Sequence, residues 1–439
     1  MSSMISAGDT AWVLVSTGLV MLMVPGLALF YGGLVRQKNA LNTFMMSLSA
    51  LGIVTVQWVL AGYSIAFGPG NSWLGGLAWW GLAGVGAAPN AAYAATVPHL
   101  AFAVFQAMFA AITVALISGA VVERLRFSAY LLFALAWTTF VYDPLARWVW
   151  GDGGWLRSLG ALDFAGGTVV HVSAGTAALV AAVMLGQRRA VARGALVPHN
   201  VPFTLLGAGL LWFGWFGFNA GSALGASPVA VNALVTTHAA AAAALTAWLV
   251  LDLWRNGRTT AVGAATGAIV GLVAITPAAG FVTPRAALVI GVLASVCSYT
   301  AMQLRARTRI DDALDVFACH GVAGIAGALL TGVFATTSVN AAGADGLLAG
   351  HPGQLGVQAI AVLATMALSA ALTAAIIATL RAVMAIRVSL GDELVGLDAS
   401  DHGEEAYHVG DVGELAGGAP LGGVILIQPE DAPVTASAA

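Results

Sequence analysis

Apolar segments of about 20 residues, the length that crosses a hydrocarbon core, recur from the N-terminus to about residue 387. In lipid every backbone polar group needs a partner inside the protein, so segments of this kind fold as helices. Only 8% of the 439 residues are charged and 59% are hydrophobic, against about 25% charged in a soluble domain. No water-soluble fold covers that much apolar surface, and the solvent for this chain is therefore largely lipid. The 54 glycines suit a bundle in which small residues let helix backbones approach closely.

Eleven spans are expected, at 10–34, 40–67, 98–121, 127–149, 164–186, 202–224, 228–254, 261–280, 284–305, 316–338 and 355–387. Basic residues test that count. With the N-terminus outside, the loops and last span end on the opposite side carry Arg36, Lys38, Arg124, Arg126, Arg188, Arg189, Arg193, Arg255, Arg258, Arg305, Arg307, Arg309, Arg381 and Arg387, which is 14 of the 17 basic residues. Arg147, Arg157 and Arg285 fall outside. The positive-inside rule then sets the N-terminus outside and the C-terminus in the cytoplasm. Five spans precede the basic loop at 187–201 and five follow it before the eleventh, so the halves insert with opposite orientation. The expected fold is an all-α integral membrane protein of 11 transmembrane helices, an inverted 5+5 repeat plus one extra helix. The N-terminus lacks a basic region and a small-residue cleavage site, so the first apolar run reads as a retained span. Cys297 and Cys319 lie in apolar segments and form no CxxC pair, which gives no disulfide framework.

Two histidines stand inside spans, each shortly after an aspartate: Asp163 before His171 and Asp315 before His320. An ionisable side chain within a bilayer is costly and marks a site or a pathway by default. Either histidine alone reads as a packing residue. Together, in the fifth span of each half, they favour a shared site in which one ring's N–H donates to the other's bare nitrogen. Such a pair offers a donor and an acceptor in an otherwise apolar lumen, for small neutral molecules or for protons. A metal site is the rival, but zinc takes three or more protein ligands, and no further Cys, His or acid clusters with Cys319 and His320. No Ser-His-Asp arrangement, Walker loop or nucleotide fingerprint is present, so neither an enzyme, a cofactor nor nucleic-acid binding is indicated. Asp163 reads as a helix cap that also places a negative field near the outer mouth, and Asp315 reads similarly for the tenth span. Aromatic residues gather near the outer ends: Phe105, Phe109, Trp148, Trp150, Trp215, Phe216 and Phe218. An interfacial belt explains most of them, yet rings facing a vestibule also attract a small cation, with the Ser222 oxygen accepting one of its N–H bonds.

From Val388 onward the chain carries ten acidic residues and no Lys or Arg. Residues 1–387 read as the transmembrane domain and 388–439 as an acidic cytoplasmic tail. To about Tyr407 the tail reads as regulatory and able to dock on the basic loops, and after it as disordered.

The chain resembles the ammonium transporters of the Amt/Mep/Rh superfamily, and most nearly its bacterial Amt branch. The resemblance is carried by VPGLALFYGGL (24–34), FQAMFA (105–110), DFAGGTVVH (163–171), WFGFNAGS (215–222), DVFACHG (315–321) and GLDASDHGEEAY (396–407), in that order. It implies recruitment of ammonium by an outer aromatic cage matching Phe109, Trp150 and Ser222, supported by Asp163. Phe109 and Phe218 match a phenylalanine gate, and His171 and His320 match the paired pore histidines. It also implies a homotrimer in the bacterial inner membrane, ammonium or ammonia as substrate with methylammonium as an analogue, and a PII signalling protein as a cytoplasmic partner. Asp143 and Asp152, read as extra charge near the outer mouth, and Leu314 depart from the family pattern, and the tail beyond Tyr407 has no counterpart. An ammonium sensor signalling through the tail and a neutral gas channel of the Rh type are the alternative readings.

Overall fold

The computed structural model describes residues 5–189 and 197–407. Arg193 and the tail after Tyr407 lie outside the described residues. Among the described residues, ten helical segments are long and apolar enough to cross a membrane. They are α1 (Ala7–Leu34), α2 (Gln37–Phe67), α3 (His99–Val121), α4 (Phe127–Val149), α5 (Gly167–Leu185), α6 (Val201–Ala220), α7 (Pro228–Asn256), α9 (Pro284–Ala306), α10 (Phe317–Phe334) and α11 (Gly353–Val383). Where the eighth span is expected stands α8 (Ala261–Ile275), apolar but only 15 residues long and shorter than those ten. Its helix stops because the chain turns tightly from Thr276 to Val282, with Ala278 N donating to Ile275 O at 2.9 Å and Val282 N to Ala278 O at 3.1 Å.

Local chemistry sets the helix starts. Ser227, Thr260 and Thr283 each accept a bond from a first-turn N–H of α7, α8 and α9, and Pro228 and Pro284 occupy the first turns, where a missing N–H costs nothing. The bundle centre is α3, which is buried on almost every side, whereas α2, α7 and α11 bury only about a third of the residues in their most apolar stretch. The exposed side chains include Leu14, Val56, Phe140, Leu363 and Trp254, as expected where the solvent is lipid.

The two ends of the bundle differ. One carries a short hairpin, β1 (Pro89–Asn90) and β2 (Ala94–Pro98), and a cluster of Trp73, Trp148 and Trp155. The other gathers charge. Buried Glu123 pairs with Arg36 at 3.0 Å and with Arg188 at 2.9 Å, and Arg188 also pairs with Asp311 at 2.7 Å. Burial disfavours the Glu123 charge, but Arg188 and Arg36 outweigh it and hold the carboxyl below the usual glutamate range.

The tail packs on this charged end. Asp398 accepts from the free N–H groups of Leu41 and Asn42 in the first turn of the helix that carries α2, at 3.1 and 2.8 Å. Asp401 accepts from Phe127 N of α4 at 3.1 Å, and Glu393 from Arg189 N at 2.7 Å and from Arg387. Acidic side chains at helix N-termini are the favourable arrangement. The tail thus meets the loops at 35–42, 123–127 and 186–189, as its charge pattern implies.

Candidate functional site

The two histidines sit on matching pieces of backbone. α5 and α10 both open with a six-residue π-helical stretch, Gly167–Val172 and Phe317–Val322. Such widened turns are rare and recur at functional sites. An aspartate eight residues before each histidine ties down the start. Asp163 accepts from the N–H groups of Gly166, Gly167, Thr168 and Val169 at 2.7, 2.6, 2.8 and 3.2 Å, and from the Thr168 hydroxyl. In the second half the corresponding residue is Asp312, which accepts from Phe317 N at 2.7 Å. This corrects the expectation for Asp315. It takes a left-handed φ of 56° and pairs with Arg305 instead. Asp312, not Asp315, stands at the spacing that reaches the first free N–H of the π stretch.

α5 and α10 cross at Gly175 and Gly321, where a Cβ on Gly175 would lie 2.2 Å from the Gly321 nitrogen. That approach sets the histidines face to face. Their Nδ1 atoms are 3.3 Å apart, their ring centroids 5.3 Å and their planes 18° off parallel. Both rings are buried. A hydrogen bond between two Nδ1 atoms needs a bare nitrogen on one side, so the pair cannot hold both rings in the doubly protonated form. The Nε2 of His171 is buried with no partner among the described residues. Trp215 lies flat against His171, 5.4 Å between centroids and 20° off parallel, and its indole N–H donates to Thr276 Oγ1 at 2.9 Å. Trp215 is therefore not at an outer end, as expected from sequence, but beside the histidines. The residue closes the α-helical part of α6, directly before the π stretch Phe216–Ala220.

Two cavities meet at a pair of rings. The narrow one, about 10 Å³, is lined by His171, His320, Trp215, Phe218 and aliphatic side chains that include Leu27, Ile112 and Leu116. It holds roughly one water-sized molecule. The wide one, about 210 Å³, is lined by Phe109, Trp150, Ser222, Phe102, Gln106, Phe164 and Arg157, among others. Phe109 borders the wide cavity and Phe218 the narrow one, and the rings stack 4.2 Å apart, 30° off parallel. The Ser222 hydroxyl donates to Phe218 O at 2.8 Å, which leaves its oxygen free to accept. Trp150 stands edge-on to Phe109 at 6.1 Å, and its indole N–H donates to the Asp163 backbone carbonyl at 2.9 Å. Asp163 itself does not line the wide cavity. Its carboxylate is turned into the helix start, and it reaches the cavity through Trp150.

The family model for the Ammonium Transporter Family matches residues 11–407. The ammonium transporter of Bacillus subtilis is 50% identical over 401 residues, covering 91% of this chain and 98% of its own. Amt1 of Archaeoglobus fulgidus is 47% identical, covering 92% and 100%. This chain belongs to the ammonium transporter family. The fold of the transporter agrees: the crystal structure of Saccharomyces cerevisiae Mep2 superposes with a TM-score of 0.83 at 40% identity, covering 88% of this chain and 90% of that one. A structure titled Sensor Amt Protein gives 0.83 at 30% identity, covering 90% and 98%.

Within this ammonium transporter the structure brings Phe109, Trp150, Ser222, Phe218, His171 and His320 together along one line of cavities. Asp143 is not at a mouth. It is fully buried within α4, where Gln57 Nε2 donates to it at 2.6 Å, while Asp152 is exposed at the surface. Gln106 was missed by sequence reasoning. Its Oε1 is buried without a partner among the described residues and it lines the wide cavity. The signal was its place three residues before Phe109, on the same helical face.

Proposed function

We propose that this transporter recruits ammonium in the wide cavity, where the ion gives up a proton to solvent water, and conducts ammonia past Phe109 and Phe218 and along His171 and His320. The observation that carries this reading is the division of the path by the Phe109–Phe218 stack into a wide aromatic chamber and a narrow, largely apolar one. In the wide chamber the faces of Trp150 and Phe109 attract a cation, and the Ser222 oxygen accepts an N–H bond. In the narrow one a bare cation costs at least about 2.5–3.5 kcal/mol. Potassium is similar to ammonium in size, but it has no proton to lose, so the apolar section rejects it. The histidine pair offers ammonia one donor and one acceptor on its way. Asp163 supports the site by fixing Trp150 and the start of the π stretch, and its charge favours the cation.

The same reading gives eleven spans with the N-terminus outside, an inverted 5+5 repeat, a homotrimer, and the inner membrane of a bacterium. The paired π stretches with an aspartate eight residues upstream support the repeat. The docked tail supports regulation from the cytoplasmic side, with a PII protein as the partner. A second reading, an ammonium sensor that signals through the tail, is favoured by the same docking and by the likeness to the sensor Amt structure.

The test is a concentration jump on reconstituted protein. A jump of ammonium should drive saturable uptake, and an equal jump of potassium should drive none. Potassium flux comparable to ammonium flux overturns the reading, and tight ammonium binding without uptake favours the sensor.

A further inference from the structure

The turn that ends α8 seats, from behind, one of the rings that line the wide cavity. Phe164 lines that cavity beside Trp150 and Ser222. Its backbone N–H donates to Pro277 O at 3.1 Å, and its ring meets Phe281 edge-on at 5.4 Å and 85°. A Cβ on Gly280 would fall 2.0 Å from one ring carbon of Phe164 and 2.4 Å from two others. The ring is seated directly on bare glycine backbone. The seat cannot retreat. A Cβ on Gly167 would come 2.5 Å from the Pro277 ring, so the turn is pressed against the start of α5. Phe281 is held in turn, its carbonyl accepting from Thr336 N at 2.9 Å and its ring lying where a Cβ on Gly343 would stand, 2.6 Å away. The open space beside the Phe164 ring is the cavity itself.

We propose that Gly280 sets the size limit of the cation site: by letting the Phe164 ring lie back, it leaves room for ammonium ions carrying an added carbon. The inference rests on reading the wide cavity as the recruitment site. A Cβ at position 280 must push the ring forward by about 1.4 Å to restore a normal 3.4 Å contact. Where a ring meets the bound ion, one carbon changes discrimination by about tenfold or more.

The experiment compares KM for ammonium and for methylammonium in full-length reconstituted protein. In Gly280→Ala the methylammonium-to-ammonium KM ratio should rise on the order of tenfold, and adding Phe164→Leu to the same chain should bring it back. An unchanged ratio, or no recovery in the double variant, overturns the proposal. If Gly280→Ala does not fold, Phe164→Leu alone decides: it opens the seat from the cavity side and must lower the ratio, and an unchanged ratio is equally fatal. Trp150→Ala separates the two levels. If it leaves the ammonium KM unchanged, the recruitment reading falls. If it raises that KM while Gly280→Ala leaves the ratio alone, only the role of Gly280 falls.

Discussion

Gly175→Ala tests how the histidine pair is made. The added Cβ would stand 2.2 Å from the Gly321 nitrogen and 2.3 Å from its Cα, both backbone atoms that no rotamer change can move. Ordinary contact begins at 3.4 Å, so α5 and α10 must part by about 1.2 Å at the crossing. His171 lies one turn before Gly175, and His320 is the neighbour of Gly321. Parting the helices by that amount takes the Nδ1 atoms from 3.3 Å to about 4.5 Å, out of hydrogen-bond reach. Overpacking of this kind costs about 1–3 kcal/mol of stability. Loss of the shared bond, about 0.5–1.5 kcal/mol, slows a step that depends on it by about two- to twelvefold. Gly321→Ala is the control. Its Cβ would meet mainly the Phe317 ring, at 2.6 Å, and Gly175 Cα only at 3.4 Å, so a side chain can yield. Ammonium uptake into proteoliposomes, with thermal unfolding in parallel, should rank wild type first, Gly321→Ala next and Gly175→Ala last. Wild-type uptake in Gly175→Ala, or a larger defect in Gly321→Ala, refutes the reasoning.

Asp163→Ala removes the acceptor for four backbone N–H groups and a hydroxyl, so its loss of thermal stability should reach the top of the range for a helix cap, about 2 kcal/mol, with Asp163→Asn in between. An Asp163→Ala protein as stable as wild type contradicts the capping role. Burial works against the Asp311 charge, but Arg188 outweighs it and holds the carboxyl at about 2. Because that lies below its ordinary value of 3.8, the stability it contributes is complete above about pH 4 and is lost as pH falls toward 2. Solvent screening leaves about 1–2 kcal/mol, and the acid limb of the unfolding profile should flatten in Asp311→Asn. Asp398→Ala removes the acceptor at the Leu41 and Asn42 N–H groups, so limited proteolysis after Val388 should quicken by about fivefold, as expected for about 1 kcal/mol. Equal cleavage in both proteins would mean that this contact does not hold the tail.

Much of this was legible in the sequence because lipid permits few backbone solutions. Apolar length alone placed α3, α4, α7 and α9 to within about two residues. The eighth segment was overestimated because Thr276–Val282 is still apolar on balance, and hydropathy cannot tell a buried turn from a continued helix. Motif reading named Phe109, Trp150, Ser222, His171 and His320, which the structure places around the two cavities, but misplaced the second cap. Two aspartates, Asp312 and Asp315, stand before His320, and only the structure shows which one reaches the free N–H of Phe317. Trp215 and Asp143 failed for one reason. Both were placed by their distance to the span ends, which says nothing of the direction a side chain faces, and the π stretches Phe216–Ala220 and Thr138–Tyr142, directly beside them, turn that direction away from a regular helix. Gln106 escaped because, although it stands in FQAMFA on the Phe109 face, an amide on an apolar helix points to no particular chemistry until its Oε1 is seen buried without a partner among the described residues.

The central claim is that an apolar passage excludes ions and that two adjoining imidazoles ease the crossing of the uncharged form. The most direct measurement is the ratio of ammonium to potassium flux in proteoliposomes holding His171→Ala with His320→Ala. The account predicts that ammonium transport slows and that the discrimination between the two ions changes. Wild-type rate and wild-type discrimination together in the double variant would contradict it.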